Sequence, residues 1–329
     1  MTAAGSTFPC RPSLAPVLLA GLLGFAFMSS AYGQNPPPDS WRAPPSASLQ
    51  QTLDAAVQGV LAEFAFQKLR PDELAATVID LRDPQHPACA GYRGEAPVYP
   101  ASVVKLFYLA AAHRWLEDGK IADTPELRRA MRDMIVDSLN EATGYIVDLL
   151  TGTTSGPELP QGEIEQWREK RDAVNRYFTT LGYANINVNK KPWSEGPYGR
   201  ETQAIRLFQP TRNQLTTDAT ARLMAEIATG RAVTPARCRE MMELLRRDPF
   251  DTTKNANDQA RDFTGLAVPP GTKLWSKAGW TSETRHDCAY LELPDGRRLV
   301  LVVFTVNHAG ERQIIPALAR TIIARLPKN

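Results

Sequence analysis

The sequence has few residues of the kinds that bind metal ions or cross-link a chain. Its 329 residues include four cysteines and four histidines. No two histidines form H-x-x-x-H and no cysteines have zinc-site spacing, so we predict no metal site and no cofactor. The chain also has no G-x-S-x-G sequence. This absence argues against a Ser-His-Asp hydrolase with a nucleophile elbow.

Strong charge of one sign and long apolar runs inside the chain are also lacking. The formal net charge is +2 and 43% of the residues are hydrophobic. This composition is typical of a globular enzyme or binding domain, and it indicates neither a nucleic-acid partner nor an acidic surface partner. Beyond the N-terminus no uncharged apolar run reaches the roughly 18 residues of a membrane span, so we expect no internal transmembrane helix. We also expect a monomer.

The N-terminus has the pattern of an export signal. Arg11 supplies positive charge, residues 14–28 are apolar, and Ala31-Tyr-Gly33 resembles a cleavage site. We predict a signal peptide over residues 1–33 and a periplasmic or secreted mature protein, with no stable membrane association after cleavage. An uncleaved membrane anchor is the alternative.

The mature chain would keep Cys89, Cys238 and Cys288. Three is an odd number, so at most one disulfide can form, and the pattern slightly favours three buried thiols. Residues 34–47 are rich in proline and polar side chains, which predicts an extended linker.

Hydrophobic periodicity over residues 48–329 predicts one catalytic domain of the α+β class. A helix that Ser48 could cap precedes strands at 74–81 and 88–92. Helical patterns follow at 99–116, 125–150, 163–182, 217–227 and 235–247, with a long loop at 183–215. Strands at 273–280, 288–293 and 299–306 precede a final helix at 311–325. We predict an antiparallel sheet flanked by helices (residues 48–100 and 264–329) and an all-α lobe (residues 101–263).

Three short motifs carry the chemistry. Ser102 and Lys105 form S-x-x-K at the start of a helical run, and Ser138 and Asn140 form S-x-N. Lys277-Ala-Gly279 forms a K-x-G motif on a predicted strand. Each motif alone is common by chance. S-x-x-K, S-x-N and K-[T/S]-G in this order are typical of serine enzymes that react with β-lactams and acyl-D-Ala-D-Ala peptides.

With these motifs, the sequence resembles the class A β-lactamases and the related penicillin-binding serine hydrolases. The resemblance extends to the helix behind Ser138, to residues 215–225 and to residues 277–290, and it covers most of residues 48–329. Two substitutions depart from the family pattern: Leu139 replaces the middle Asp of S-D-N, and Ala278 replaces the hydroxyl residue of K-[T/S]-G. The family's E-x-x-L-N signature is also missing, and the Ser102–Ser138 spacing is short.

The resemblance implies that Ser102 is the nucleophile and Lys105 its base. A serine hydroxyl needs an adjacent base, and a lysine one helical turn away can serve if burial lowers its pKa. Ser138 would pass a proton to the leaving nitrogen, and Asn140 would bind the substrate amide. The structural alternatives are a helix-capping Ser102 and an N-cap pair formed by Ser138 and Asn140.

The K-x-G motif would bind the substrate carboxylate. Lys277 supplies positive charge, and Gly279 would let a ligand approach the strand backbone. Ala278 has no hydroxyl to donate, so other side chains would have to compensate. The candidates are Thr281, Ser282 and Arg285, the last of which is otherwise a solvated loop charge.

Hydrolysis of the acyl-enzyme needs a base that activates water. Glu195 in Trp193-Ser-Glu195 is favoured and Glu201 is the reserve, unless both are surface carboxylates. The sequence therefore leaves three functions open. The favoured function is a serine β-lactamase that opens β-lactam rings through a Ser102 acyl-enzyme, and the alternative is a D-Ala-peptide peptidase or esterase or a slowly deacylating penicillin-binding protein. For both, the expected partner is a small β-lactam or acyl-peptide substrate. The third is a non-catalytic sensor that binds an acyl-peptide or a protein partner.

Overall fold

A six-stranded antiparallel sheet forms the centre of the protein, in a computed structural model that describes residues 41–253 and 259–327. The strands are β1 (Leu74–Asp80), β2 (Ala88–Tyr92), β3 (Arg246–Arg247), β4 (Lys273–Trp280), β5 (Thr284–Glu292) and β6 (Arg298–Val306). Their order across the sheet is β2-β1-β6-β5-β4-β3. The N-terminal and C-terminal parts of the chain thus share one sheet, as predicted.

Both faces of this sheet are buried. Along β6, Leu299, Leu301 and Val303 join one apolar cluster. The intervening Val300, Val302 and Phe304 join the cluster on the other face. Because side chains alternate along a strand, a continuous apolar run such as residues 299–304 needs a helical layer on each side.

Ten helices form these layers within the described residues. They are α1 (Ala47–Glu63), α2 (Lys105–Glu117), α3 (Pro125–Ile135), α4 (Asn140–Thr151), α5 (Gln161–Arg171), α6 (Ala173–Thr180), α7 (Gly199–Leu207), α8 (Thr217–Ala228), α9 (Pro235–Leu245) and α10 (Ile314–Arg325). Helices α1 and α10 pack on one face, and α2, α8 and α9 contribute to the cluster on the other. None of these helices is long and apolar enough to span a membrane.

The structure confirms the predicted α+β class and revises several boundaries. Helix α1 is capped by Ser46, whose Oγ accepts a hydrogen bond from Leu49 N, so the predicted cap at Ser48 is wrong. The predicted loop at 183–215 contains α7, and the helical stretch 163–182 is divided at Asp172. Strand β5 begins at Thr284, four residues before the predicted start, because polar residues of this strand are also buried.

Residues 41–46 of the predicted linker lie beside β2. Ser46 N donates to Cys89 O, and Cys89 N donates to Pro44 O, both at 2.9 Å. Cys89, Cys238 and Cys288 are all free thiols, and the last two are buried. The predicted signal peptide lies outside the described residues.

Candidate active site

Ser102 lies on a tight turn that leads directly into α2. Residues Ala101–Val104 form a 3-10 turn in which Lys105 N donates to Ser102 O. Residues three apart eclipse each other in such a turn, so Ser102 and Lys105 project from the same side. Ala101 has a φ of 46°, a left-handed conformation that is costly for a side chain with a Cβ. The chain thus holds a strained backbone immediately before the candidate nucleophile.

The second motif lies in the turn between α3 and α4. Lys105 Nζ donates to Ser138 O (2.5 Å), Ser138 Oγ (3.3 Å) and Asn140 Oδ1 (2.8 Å). Among the described residues, no hydrogen bond joins this amine to Ser102 Oγ. Ser138 has a φ of 59°, and strain of this kind costs about 1–3 kcal/mol and clusters at functional sites.

The capping alternative for this motif is wrong. Helix α4 begins at Asn140, and its N-cap residue Leu139 provides no side-chain hydrogen bond. The side chains of Ser138 and Asn140 contact Lys105 instead. Leu139 itself is 45% exposed, so the apolar replacement at the middle of the motif does not fill the core.

The third motif reaches the same hydroxyl from strand β4. Lys277 Nζ donates to Ser138 Oγ (3.0 Å), Gln259 Oε1 (2.8 Å) and Ala278 O (2.8 Å). Ser138 therefore lies between the two lysines, which are both fully buried. The three motifs meet in one site, which is the arrangement that the sequence predicted.

Burial changes the protonation of both amines. It lowers the pKa of Lys105 to about 7, an effect that the charge of Glu141 opposes. Burial also lowers the pKa of Lys277 well below its usual value, with the charges of Lys105 and Arg247 acting in the same direction. A large neutral fraction of Lys105 at neutral pH is what a general base needs.

Gly279 allows the nucleophile's turn to approach β4 closely. A Cβ at this position would lie 2.7 Å from Ser102 N and 2.8 Å from Pro100 O and Val103 N. The glycine therefore makes room for the chain's own backbone, whereas the sequence suggested room for a ligand. On β5, opposite Gly279, His286 Nε2 donates to Tyr99 O at 2.9 Å. The acceptor role of His286 Nδ1 towards Thr305 N fixes this tautomer.

The backbone N–H of Trp280, one residue after Gly279, is a free-edge donor candidate that sequence reasoning missed. Thr281 N donates to Thr284 O, and Trp280 is paired with Arg285 one position along. Because hydrogen-bonded and non-hydrogen-bonded pairs alternate in an antiparallel ladder, the N–H of Trp280 points away from β5. The preceding residue, Gly279, lies against the backbone of Ser102.

The long loop contacts the site through Trp193. Asn140 Nδ2 donates to Trp193 O at 3.0 Å. Glu195, two residues later, is exposed and has no hydrogen bond within the described part of the chain. Glu201 is buried and its Oε1 accepts from Arg171 Nη2 at 2.7 Å. Neither candidate deacylation base is therefore held against Asn140 or Lys105.

Three residues were candidates to replace the hydroxyl that Ala278 lacks, and the structure places each of them in a different environment from the one expected. The Thr281 hydroxyl accepts from Glu283 N and Thr284 N within the β4–β5 turn, and Ser282 is exposed. Arg285 is buried and donates to Asp262 Oδ2 at 2.6 Å. Its guanidinium is thus part of an internal ion pair. Both sequence-based interpretations of Arg285, a substrate contact and a solvated loop charge, are wrong.

Position 278 belongs to the core on the far face of the sheet. Ala278 is fully buried in the cluster that contains Leu274 and Leu291. A small apolar side chain fits this packing, which gives a physical reason for the departure from the family motif. Within residues 41–253 and 259–327, no group of three His, Cys, Asp or Glu side chains could hold a metal ion.

Comparisons with known proteins agree with this fold. A family model described as the β-lactamase enzyme family matches residues 122–326. The fold is similar to that of a β-lactamase from Sphaerobacter thermophilus, with a TM-score of 0.59 and 22% identity over 84% of this chain and 97% of that one. It is also similar to PBP-A, with a TM-score of 0.59 and 17% identity over 86% and 98% of the two chains.

A PBP-A variant solved as an acyl-enzyme complex with penicillin G has a TM-score of 0.58 and 16% identity, over 86% of this chain and 98% of that one. A comparison with curated protein sequences finds no match. The family match covers well over half of the sequence, so the chain belongs to the β-lactamase enzyme family. Family membership and fold together support a serine hydrolase. At these low sequence identities, the similarity to the solved structures concerns the fold alone.

Proposed function

We propose that this protein is a serine hydrolase that opens β-lactam rings through an acyl-enzyme at Ser102. The observation that carries the proposal is the position of Ser138 Oγ, 3.3 Å from Lys105 Nζ and 3.0 Å from Lys277 Nζ. An isolated motif of this kind could cap a helix, but a hydroxyl shared by two buried amines is suited to proton transfer.

In the proposed acylation, neutral Lys105 takes the proton of Ser102 Oγ as the oxygen attacks the lactam carbonyl carbon. The N–H groups of Ser102 and Trp280 stabilise the oxyanion that forms. The carbon–nitrogen bond then breaks, Ser138 Oγ donates its proton to the lactam nitrogen, and the Lys105 ammonium returns a proton to Ser138. The substrate carboxylate favours the ammonium form of Lys277 and binds to it, and Asn140 donates to the side-chain carbonyl of the acyl group.

A second candidate is a penicillin-binding enzyme that releases its acyl group slowly. The exposure of Glu195 and the burial of Glu201 against Arg171 favour it, because neither of these two carboxylates contacts Lys105 or Asn140 in the described part of the chain. Loss of a general base typically slows a reaction by about 10²–10⁴-fold. The D-Ala-peptide reaction that the sequence left open belongs with this candidate.

Intact mass measured over time with benzylpenicillin tests the proposal. We expect an adduct of one penicillin on the wild type and none on Ser102→Ala. An adduct that disappears within the assay supports the β-lactamase, and a persistent adduct supports the slow penicillin-binding enzyme. The absence of any adduct on the folded wild type would leave only the sensor function.

Glu195→Gln and Glu201→Gln separate the possible roles of the two loop carboxylates. If Glu195 activates water, its variant accumulates the adduct at an unchanged acylation rate. Glu201→Gln should instead lower the melting temperature, since it removes half of a buried ion pair with Arg171. Release that neither change affects would assign the base to another group.

The N-terminal pattern of residues 1–33 supports export as a further part of the proposal. Expression of the full chain in a Gram-negative host, followed by fractionation and N-terminal mass analysis, tests it. We expect a mature protein beginning near Gln34 in the periplasmic fraction, and an uncleaved chain in the cytoplasm would contradict export.

A further inference from the structure

Gln259 is a buried side chain that joins the two walls of the active site. Its Oε1 accepts from Lys277 Nζ at 2.8 Å and from Ala278 N at 3.1 Å. Its Nε2 donates to Val136 O at 3.0 Å. Only 7% of Gln259 is exposed, and both the donor and the acceptor of its carboxamide form hydrogen bonds inside the protein.

These three contacts lie beside the reacting groups. Val136 is two residues before Ser138, on the turn between α3 and α4, and Ala278 follows Lys277 on β4. One rigid amide therefore connects the backbone that carries Ser138 to the strand that carries Lys277. Ser138 Oγ and Lys277 Nζ lie 3.0 Å apart across the same gap.

Gln259 is also neutral, which suits a position beside Lys277 Nζ. The ammonium group has three N–H donors, and Lys277 Nζ has three acceptors in Ser138 Oγ, Gln259 Oε1 and Ala278 O. A neutral oxygen satisfies one donor without cancelling the positive charge, whereas a carboxylate would pair with it. The other charged groups that act on Lys277 are Lys105, Arg247 and Asp287.

We propose that Gln259 is a positioning residue for acylation, which holds Ser138 and Lys277 in register and leaves the positive charge of Lys277 free for the substrate carboxylate. The inference rests on the proposed function.

Gln259→Met tests the connection, because methionine has a similar length but cannot form these hydrogen bonds. Displacement of reacting groups by about 1 Å can cost about 10²-fold in rate. We expect a loss of that order in the rate of benzylpenicillin acylation, measured by intact mass. Because the substrate carboxylate binds the ammonium form of Lys277, acylation should fall at high pH as Lys277 loses its proton. In Gln259→Met this fall should begin at lower pH, since the ammonium form loses an acceptor.

Gln203→Met is the matched control. Gln203 is 8% exposed and exchanges two hydrogen bonds with the backbone of Leu159, away from the three motifs. Its replacement removes the same chemical groups from a buried position. We expect a lower melting temperature with an acylation rate and pH profile like those of the wild type.

Gln259→Glu tests the charge separately and covers the case in which Gln259→Met does not fold. Acylation is compared between benzylpenicillin and its methyl ester, which lacks the carboxylate. We expect the wild type to prefer the free acid and the variant to lose most of this preference. The ratio of the two rates cancels any general distortion that the substitution causes.

The outcomes distinguish this inference from the proposed function. A wild type that forms no adduct overturns the proposed function. A wild type that forms the adduct, together with a Gln259→Met variant of equal rate and pH profile, overturns the positioning role alone. An unchanged preference for the free acid in Gln259→Glu overturns the role of charge.

Discussion

Ser138 Oγ lies 3.0 Å from Lys277 Nζ, although the two residues are 139 positions apart in the sequence. One is on a turn of the helical layer and the other on strand β4. Their contact therefore depends on how the helices pack against the sheet. Packing of this kind makes the site sensitive to small backbone changes far from the nucleophile.

Two substitutions at Ser138 separate its chemistry from its backbone conformation. Ser138→Ala and Ser138→Gly both remove the hydroxyl, so we expect each to slow acylation by about 10²–10⁴-fold. Only glycine relieves the left-handed conformation, which costs other residues about 1–2 kcal/mol. The glycine variant should therefore unfold at higher urea concentration than the alanine variant. Equal midpoints would contradict the strain at this position.

The pH dependence of acylation should report Lys105. Because burial lowers its pKa to about 7 and the neutral amine is the base, the acylation rate should rise with pH through this value. The charge of Glu141 favours the ammonium form. Glu141→Gln should therefore lower the pKa further and move the midpoint of the rate profile to lower pH.

Glu163→Gln is a suitable control for this shift. Glu163 is exposed and lies in the first turn of α5, as Glu141 lies in the first turn of α4. It does not contribute to the environment of Lys105, so the profile of this variant should match that of the wild type. A midpoint that Glu141→Gln leaves unchanged would show that another group controls the profile.

Gly279→Ala tests the close approach of β4 to the nucleophile's turn. The new Cβ would be 2.7 Å from Ser102 N, so the turn must shift, and we expect a loss of acylation of about 10²-fold. Gly59→Ala is the control, since Gly59 lies in α1 with no atom within 4 Å of the added carbon. That change should stabilise the fold by about 0.5–1 kcal/mol and leave acylation unaltered.

The sequence predicted the parts of the site that local patterns encode. The apolar helix after Ser102 and the alternating strand at Lys277 are visible as periodicity, and their motifs name the reacting groups. Gln259 has no such pattern, because its role comes from contacts with Val136 and Ala278 that only the folded chain brings together. The Trp280 N–H was missed for a related reason, since its direction depends on the register with β5.

Arg285 shows how a plausible charge in a motif can have another role. The residue is close in sequence to the K-x-G motif, which suggested contact with a substrate carboxylate. The structure instead shows a buried side chain, whose guanidinium lies against Asp262 and over the ring of Phe263 at 4.1 Å. The distinction has an experimental consequence, because an internal ion pair affects stability more than substrate binding.

We therefore expect Arg285→Ala to lower the free energy of unfolding by about 3 kcal/mol, at the lower end for removal of one partner of a buried pair. Asp262 keeps its contact with Arg312, which limits the loss. Chemical denaturation measures this effect, and the double variant Arg285→Met/Asp262→Asn should lose less stability than the single variant. The preference for benzylpenicillin over its methyl ester should persist in folded Arg285→Ala. Loss of this preference with normal stability would return Arg285 to the substrate-binding role.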